Sequence, residues 1–180
     1  MFRHLNIKIF GALLLFMLTV APLSKATDPA SEINFPATLY IVPFLNVMTP
    51  PTVSSRLFDT YIDELMATGE SYGMTIRILK RDIDQVDREW LAKQHFITGE
   101  LFGYVEDSGC CSTEINAKVR TYLYRPGSID PAGEIVVPGD IFFDHDLSTL
   151  EAGRIKLADR MGRNLAQQLF ADLARSAKQQ

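Results

Sequence analysis

His95-Phe-Ile-Thr-Gly-Glu-Leu-Phe-Gly-Tyr-Val105, then Glu106-Asp-Ser-Gly-Cys-Cys-Ser112, then Thr113-Glu-Ile-Asn-Ala-Lys-Val-Arg-Thr-Tyr-Leu-Tyr124 read as a strand, a turn and a returning strand. The returning arm alternates without a break. Ile115, Ala117, Val119, Thr121 and Leu123 share one face, and Glu114, Asn116, Lys118, Arg120 and Tyr122 share the other. A period of two marks an antiparallel strand with one buried and one wet face. The long hairpin from His95 to Arg125 is therefore the element around which the remaining chain is arranged.

Upstream, Thr38-Leu-Tyr-Ile-Val-Pro-Phe44 is a short apolar run of β formers, suited to a strand buried on both faces. Pro43 marks its end, because proline cannot donate to a central ladder. Leu45 to Thr52 reads as a loop. Ser54 or Ser55 is the expected cap of a helix whose apolar face is Leu57, Phe58, Tyr61, Ile62, Leu65 and Met66, with Gly69 ending it. Met74 to Leu79 reads as a second strand, and Asp82 or Asp84 as the start of a short helix carrying Val86, Trp90 and Leu91.

Downstream, the turn-rich Arg125 to Gly133 leads into Glu134-Ile-Val-Val-Pro-Gly-Asp-Ile-Phe-Phe143, read as a strand interrupted by a bulge at Pro138-Gly139. Ser148-Thr-Leu-Glu151 has the form of a capping box. Beyond it Leu157, Met161, Leu165, Leu169 and Leu173 recur every fourth residue, flanked by Ala158, Gly162, Ala166 and Phe170. Small residues in that flanking row would let the helix lie close to a sheet. The order β-α-β-α-β-β-β-α predicts an α/β (α+β) fold: a single mixed sheet, helices packed against it and a long antiparallel hairpin at one side.

The amino-terminal residues have the pattern of a secretory signal. Arg3 and Lys8 precede an uncharged apolar run from Ile9 to Leu23, and Ser24-Lys25-Ala26 offers a cleavage site after Ala26. The run is shorter than the roughly 18–20 apolar residues of a spanning helix. The expected organisation is a cleaved signal over residues 1–26, a flexible leader over 27–37, one domain over 38–177 and a tail over 178–180. That predicts export to the periplasm, with no stable transmembrane insertion after cleavage.

The whole chain of 180 residues has a formal net charge of −4, and the signal contributes basic residues and no acidic one. The exported part is thus more acidic still. Nucleic-acid backbones and anionic membranes call for a basic footprint, so neither is an expected partner.

Catalytic patterns are missing. No Gly-x-Ser-x-Gly elbow surrounds Ser54 or Ser55, and the chain has no phosphate-binding loop, no Gly-x-Gly-x-x-Gly and no His-Glu-x-x-His. Glu100 and Glu106 share the face of the outgoing strand that also carries Phe102 and Tyr104, with nothing placing a substrate between them. Asp144-His145-Asp146 sets three potential ligands side by side, but neighbours in an extended chain point to opposite faces, so only Asp144 and Asp146 could converge. A small metal-dependent hydrolase using these three is the alternative to a non-enzymatic reading. No cofactor is expected.

Cys110 and Cys111 are the only cysteines. In an exported protein they are candidates for a vicinal or labile disulfide, a redox-responsive pair, an intermolecular bridge, or two thiols without a role. The Cys-x-x-Cys spacing of dithiol oxidoreductases is absent. Phe102, Tyr104, Tyr122 and Tyr124 are expected on the outward hairpin face with Lys118 and Arg120, either as an interface, since these residue types anchor protein interfaces, or packed beneath a helix, because the sequence does not fix which face of the sheet the helices cover. Asn46, in the loop after the first strand, completes the candidate interaction surface.

Two stretches carry a resemblance. Tyr40-Ile-Val-Pro-Phe-Leu-Asn46 before an amphipathic helix, and Phe96-Ile-Thr-Gly-Glu-Leu-Phe-Gly-Tyr104 before an alternating strand and a closing helix, resemble a group of bacterial envelope proteins. That group includes the periplasmic domain of the curli secretion channel (CsgG), the TolB amino-terminal domain and the LpoB-like activators of penicillin-binding proteins. The similarity covers residues 38–175 as element order. It implies a non-enzymatic module that binds an envelope protein or assembles with itself. The chain departs from several members in lacking a lipobox cysteine and an obvious membrane-inserting β segment.

Overall fold

The computed structural model describes residues 35–81 and 83–177. The expectations for the signal over 1–26, for the leader up to residue 34, for Asp82 and for the tail lie outside these residues.

Among the described residues ten elements follow one another. They are β1 (Thr38–Ile41), β2 (Leu45–Asn46), α1 (Pro51–Ser71), β3 (Thr75–Ile78), a 3-10 turn (Ile83–Gln85), α2 (Arg88–Leu91), β4 (Phe96–Ser108), β5 (Ser112–Tyr124), β6 (Gly133–Asp144) and α3 (Leu150–Ala177). The six strands form one mixed sheet in the order β3-β1-β4-β5-β6, with β2 also paired to β4. Pairing is parallel among β3, β1, β2 and β4, and antiparallel from β4 through β5 to β6. β1 and β2 are successive pieces of one broken strand on the same edge of β4. The residues expected to form a loop at Leu45 and Asn46 instead return to the sheet.

α1 and α3 pack side by side on one face. The five-member stripe of α3, from Leu157 to Leu173, is buried there with Leu57, Tyr61 and Leu65 of α1 and with the alternating residues Ile115, Ala117, Val119 and Leu123 of β5. Met66, expected on the same helix face, is exposed. Gly162 matters for the crossing of the helices rather than for contact with the sheet. A Cβ built on it would lie 2.8 Å from the Leu57 carbonyl oxygen and 3.1 Å from the Tyr61 nitrogen. Arg56 and Thr60 of α1 both bond Asp159 of α3 across this junction, at 2.6 and 2.8 Å to Oδ1.

The element ends differ from expectation for local reasons. α1 begins at Pro51, whose fixed φ suits the first helical turn, and not at a serine cap. Its chain reverses at Gly73, with φ of +66°, while Gly69 lies inside the helix against Ile76. α2 is capped by Asp87, whose Oδ1 accepts from Glu89 N and Trp90 N. α3 is capped by Thr149, one residue after the predicted Ser148, through Ala152 N to Oγ1.

β6 runs through Pro138-Gly139 with its register to β5 unbroken, so the expected bulge is absent. β6 is an edge strand, where a proline can sit without removing a bond from a central ladder. Gly139 is needed for a different reason: a Cβ there would stand 2.4 Å from Met161 Sδ of α3.

The bulge that does occur is in β4. Register shifts between Phe102 and Val105, with Gly103 and Tyr104 set against Ala117 alone. Gly103 has φ of +63°, the left-handed conformation that a bulge of this kind places on glycine.

Candidate functional site

The face of the sheet opposite α1 and α3 is covered over only part of its area. The segment from Leu79 to Leu91 closes it beside β1, where Val42, Leu91 and Phe96 form a second small core with Tyr40, Leu79, Val86 and Tyr124. Farther along β4, β5 and β6, no element among the described residues lies over it.

Register specifies the uncovered surface row by row. Thr98, Tyr122 and Glu134 make one row, and Leu45, Glu100, Arg120 and Val136 the next. Phe102, Lys118 and Pro138 follow, then Val105, Asn116 and Asp140, and lastly Asp107, Glu114 and Phe142. Leu45, Val105, Val136 and Phe142 are 62, 56, 45 and 65% exposed, so apolar side chains stand in water along the whole patch. Sequence reasoning passed over these four. Alternation along β6 was a sufficient signal for Val136 and Phe142, but Val105 faces this way only because of the bulge.

Arg120 is the centre of the patch. Its Nε donates to Glu100 Oε1 at 2.8 Å, and its guanidinium lies 5.0 Å from the Phe102 ring centre and 5.4 Å from that of Tyr122. Glu134 approaches from the other side at 3.6 Å. The cation thus lies within cation–π distance of two aromatic rings while paired to Glu100, an arrangement suited to recognition. Beside it a cavity of about 440 Å³ opens between the break in the first strand and the 3-10 turn, with Phe44, Ile83, Asp84, Thr98, Glu100 and Tyr122 among its walls. That volume lies in the range of small-ligand pockets.

The predicted interface residues separate in space. Phe102 and Tyr122 belong to the open patch. Tyr124 shares their face but is stacked on Phe96, ring centres 4.5 Å apart, within the second core. Tyr104 is on the opposite, helix-covered face, against the main core. The expectation that all four share the outward face fails at Tyr104, because the bulge at Gly103 inverts the alternation after Phe102.

The same inversion parts Glu100 from Glu106. Glu106 turns to the helices, where Arg154 of α3 grips it at 2.6 and 2.9 Å and the Tyr104 hydroxyl donates to it. Arg154 holds the Glu106 carboxyl below its usual range, with the tyrosine hydroxyl adding to the effect against an opposing cost of burial. The two carboxylates cannot act as a pair.

Asn46 also faces the helices. Its side chain bonds Thr49 N and O at 3.0 and 2.9 Å and Ser54 Oγ at 3.1 Å, clamping a turn in which Met48 adopts φ of +56° and stands 95% exposed.

Asp144, His145 and Asp146 do not converge. His145 Nε2 lies 2.8 Å from Thr113 Oγ1, which is itself 3.0 Å from Ser108 Oγ. Among the described residues no three His, Cys, Asp or Glu side chains are grouped to hold a metal ion. At the hairpin tip the Sγ atoms of Cys110 and Cys111 are 2.9 Å apart and both residues are exposed. The Cys111 thiol is pushed up from its ordinary pKa by its hydrogen bond with the Cys110 thiol, with burial and Asp144 acting the same way.

No helix among the described residues is long and apolar enough to cross a membrane. The chain matches no family model and no curated protein. Its fold is similar to those of several solved bacterial proteins. A hypothetical protein from Chlamydia trachomatis superposes with a TM-score of 0.53 at 8% identity, over 77% of this chain and 98% of that one. A Xanthomonas campestris protein of the DUF330 family gives 0.53 at 9% identity, over 79% and 88%. A lipoprotein from Neisseria meningitidis gives 0.49 at 12%, over 76% and 99%. The first two likenesses place the mixed sheet and its helices in a fold that bacteria use more than once.

Proposed function

We propose that this protein is an exported, non-enzymatic interaction or assembly module of a bacterial cell envelope, released into the periplasm by cleavage after Ala26. The observation that carries the reading is the uncovered half-sheet, where exposed apolar side chains stand around an arginine that lies over two aromatic rings. Isolated exposed apolar residues are ordinary, but a contiguous patch rimmed by charge is the composition of a protein-binding surface. Aromatic and arginine side chains supply most of the binding energy at such surfaces. The amino-terminal signal pattern supports the compartment, and the acidic charge balance favours a protein partner over nucleic acid or anionic lipid.

Phe102, Tyr122, Val136 and Phe142 are the proposed contact residues, with Arg120 as the polar anchor. The partner is another envelope protein or a second copy of this chain. A photo-crosslinking residue at position 122 in the full chain, in cells, tests this. A discrete adduct lost in Phe102→Ser, with the fold intact by circular dichroism, is the expected result. Labelling that stays diffuse and indifferent to Phe102→Ser would overturn the proposal.

A further inference from the structure

Chemistry at the hairpin tip is not accounted for by an interaction surface on the open half-sheet. Cys110 and Cys111 are the chain's two cysteines, so any disulfide within one molecule must join them. The turn between β4 and β5 brings their sulfurs to 2.9 Å with both side chains in solvent. Such an approach is closer than ordinary sulfur contact and leaves a short path to the roughly 2.05 Å of a disulfide bond.

We propose that Cys110 and Cys111 are a thiol–disulfide exchange site that closes to a vicinal disulfide when it meets a protein or low-molecular-weight disulfide. One cysteine loses its proton to solvent, and its thiolate attacks the incoming disulfide. A mixed disulfide forms and one thiolate leaves. The neighbouring cysteine, deprotonated in turn, attacks the protein sulfur of the mixed disulfide and expels the second thiolate. The protein loses two protons and two electrons, and the oxidant is reduced to two thiols.

The second step is favoured by position. The attacking sulfur is already in contact with its target, so ring closure has the advantage of an intramolecular reaction over bridging to another copy. The ring encloses the peptide bond between the two residues and strains it. Where it sits, the backbone can yield. The tip packs against no core cluster, it follows Gly109, and its local bond is Gly109 N to Ser112 O at 2.9 Å. A strained, exposed disulfide is readily reduced again, so the pair is reversible. Ring closure would also be felt beyond the tip, because the Cys111 carbonyl accepts from His145 N at 2.8 Å, tying the turn to the corner between β6 and α3.

Glutathione on the purified, folded full-length protein tests the site, and the result does not depend on whether the protein is exported or binds a partner. After oxidised glutathione, intact mass should show a monomer lighter by the two hydrogens lost, taking up no maleimide. Reduction should restore two maleimides per chain. Cys111→Ser should stop at the mixed disulfide and keep one glutathione. Two free thiols after oxidation, a glutathione on each cysteine, or a disulfide-linked dimer as the main product would each overturn the proposal.

Discussion

The ring of Phe44 lies directly over Gly99: a Cβ built on Gly99 would stand 2.8 Å from two ring carbons of Phe44 and 3.0 Å from the Arg120 carbonyl oxygen. Phe44 sits where the first strand breaks, and it packs on Phe58 and Tyr61 of α1 with ring centres 5.2 and 5.3 Å away. The two short motifs, Val-Pro-Phe in one stretch and Thr-Gly-Glu in the other, are thus two sides of a single contact. Gly99→Ala should cost about 1–3 kcal/mol, as overpacking does. Combining it with Phe44→Leu should cost less than the sum of the two single changes. Urea unfolding of the four proteins measures that coupling, and strict additivity would show that the contact carries no weight.

Glu106 and Arg154 join the bulged strand to α3 with both side chains about a quarter exposed or less. Charge-assisted, two-pronged bonds of this kind are the stronger class. Glu106→Gln or Arg154→Met should each destabilise by about 1–3 kcal/mol. Denaturant midpoints that do not move would show that the pair is only incidental.

Acid should weaken the fold. Glu106 and Asp159 are each held below the ordinary carboxylate range, chiefly by Arg154 and Arg56 respectively. A depressed carboxylate stabilises the native state in full above its unfolded-state pKa, and that contribution is lost as pH falls through the folded-state value. His95 acts in the same direction. Burial, with help from Arg125, lowers its pKa, so its protonation below about 6.5 favours the unfolded chain. Stability should therefore decline progressively from about pH 6 downward. Glu106→Gln should flatten the lower part of the curve, as read by thermal unfolding across pH.

Tyr61 is fully buried between the helices, and its hydroxyl has no hydrogen-bond partner among the described residues. Burial raises its pKa far above the ordinary phenol value. An unpaired buried hydroxyl costs free energy that its removal recovers. Tyr61→Phe should be neutral or stabilising by about 1 kcal/mol. A clear loss of stability on calorimetry would point to a buried partner for this hydroxyl.

Much of the architecture was legible in the sequence because it is written in short-range periodicity. The period of two in β5 identified its buried face residue by residue, and the fourfold repeat from Leu157 to Leu173 identified the buried stripe of α3. Both signals depend on backbone geometry that repeats within a few residues. The open patch was only half legible. Alternation, which holds up to Phe102, put Phe102 and Tyr122 on one face but did not say whether the helices cover it.

What only the tertiary structure decided begins at the next residue. One glycine in the left-handed region inserts an extra step, sends Tyr104 and Glu106 to the helices and turns Val105 to solvent. Composition does not announce that shift, since a glycine in a strand fits a bulge, a bend or a close approach equally well. Gly99, Gly139 and Gly162 make the same point. Each is explained by a side chain or backbone arriving from far along the chain, and local sequence carries no record of that neighbour. Which half of the sheet is covered is likewise a long-range outcome: the segment from Leu79 to Leu91 closes over β1 and β4 and leaves Arg120 and its aromatic neighbours open to solvent.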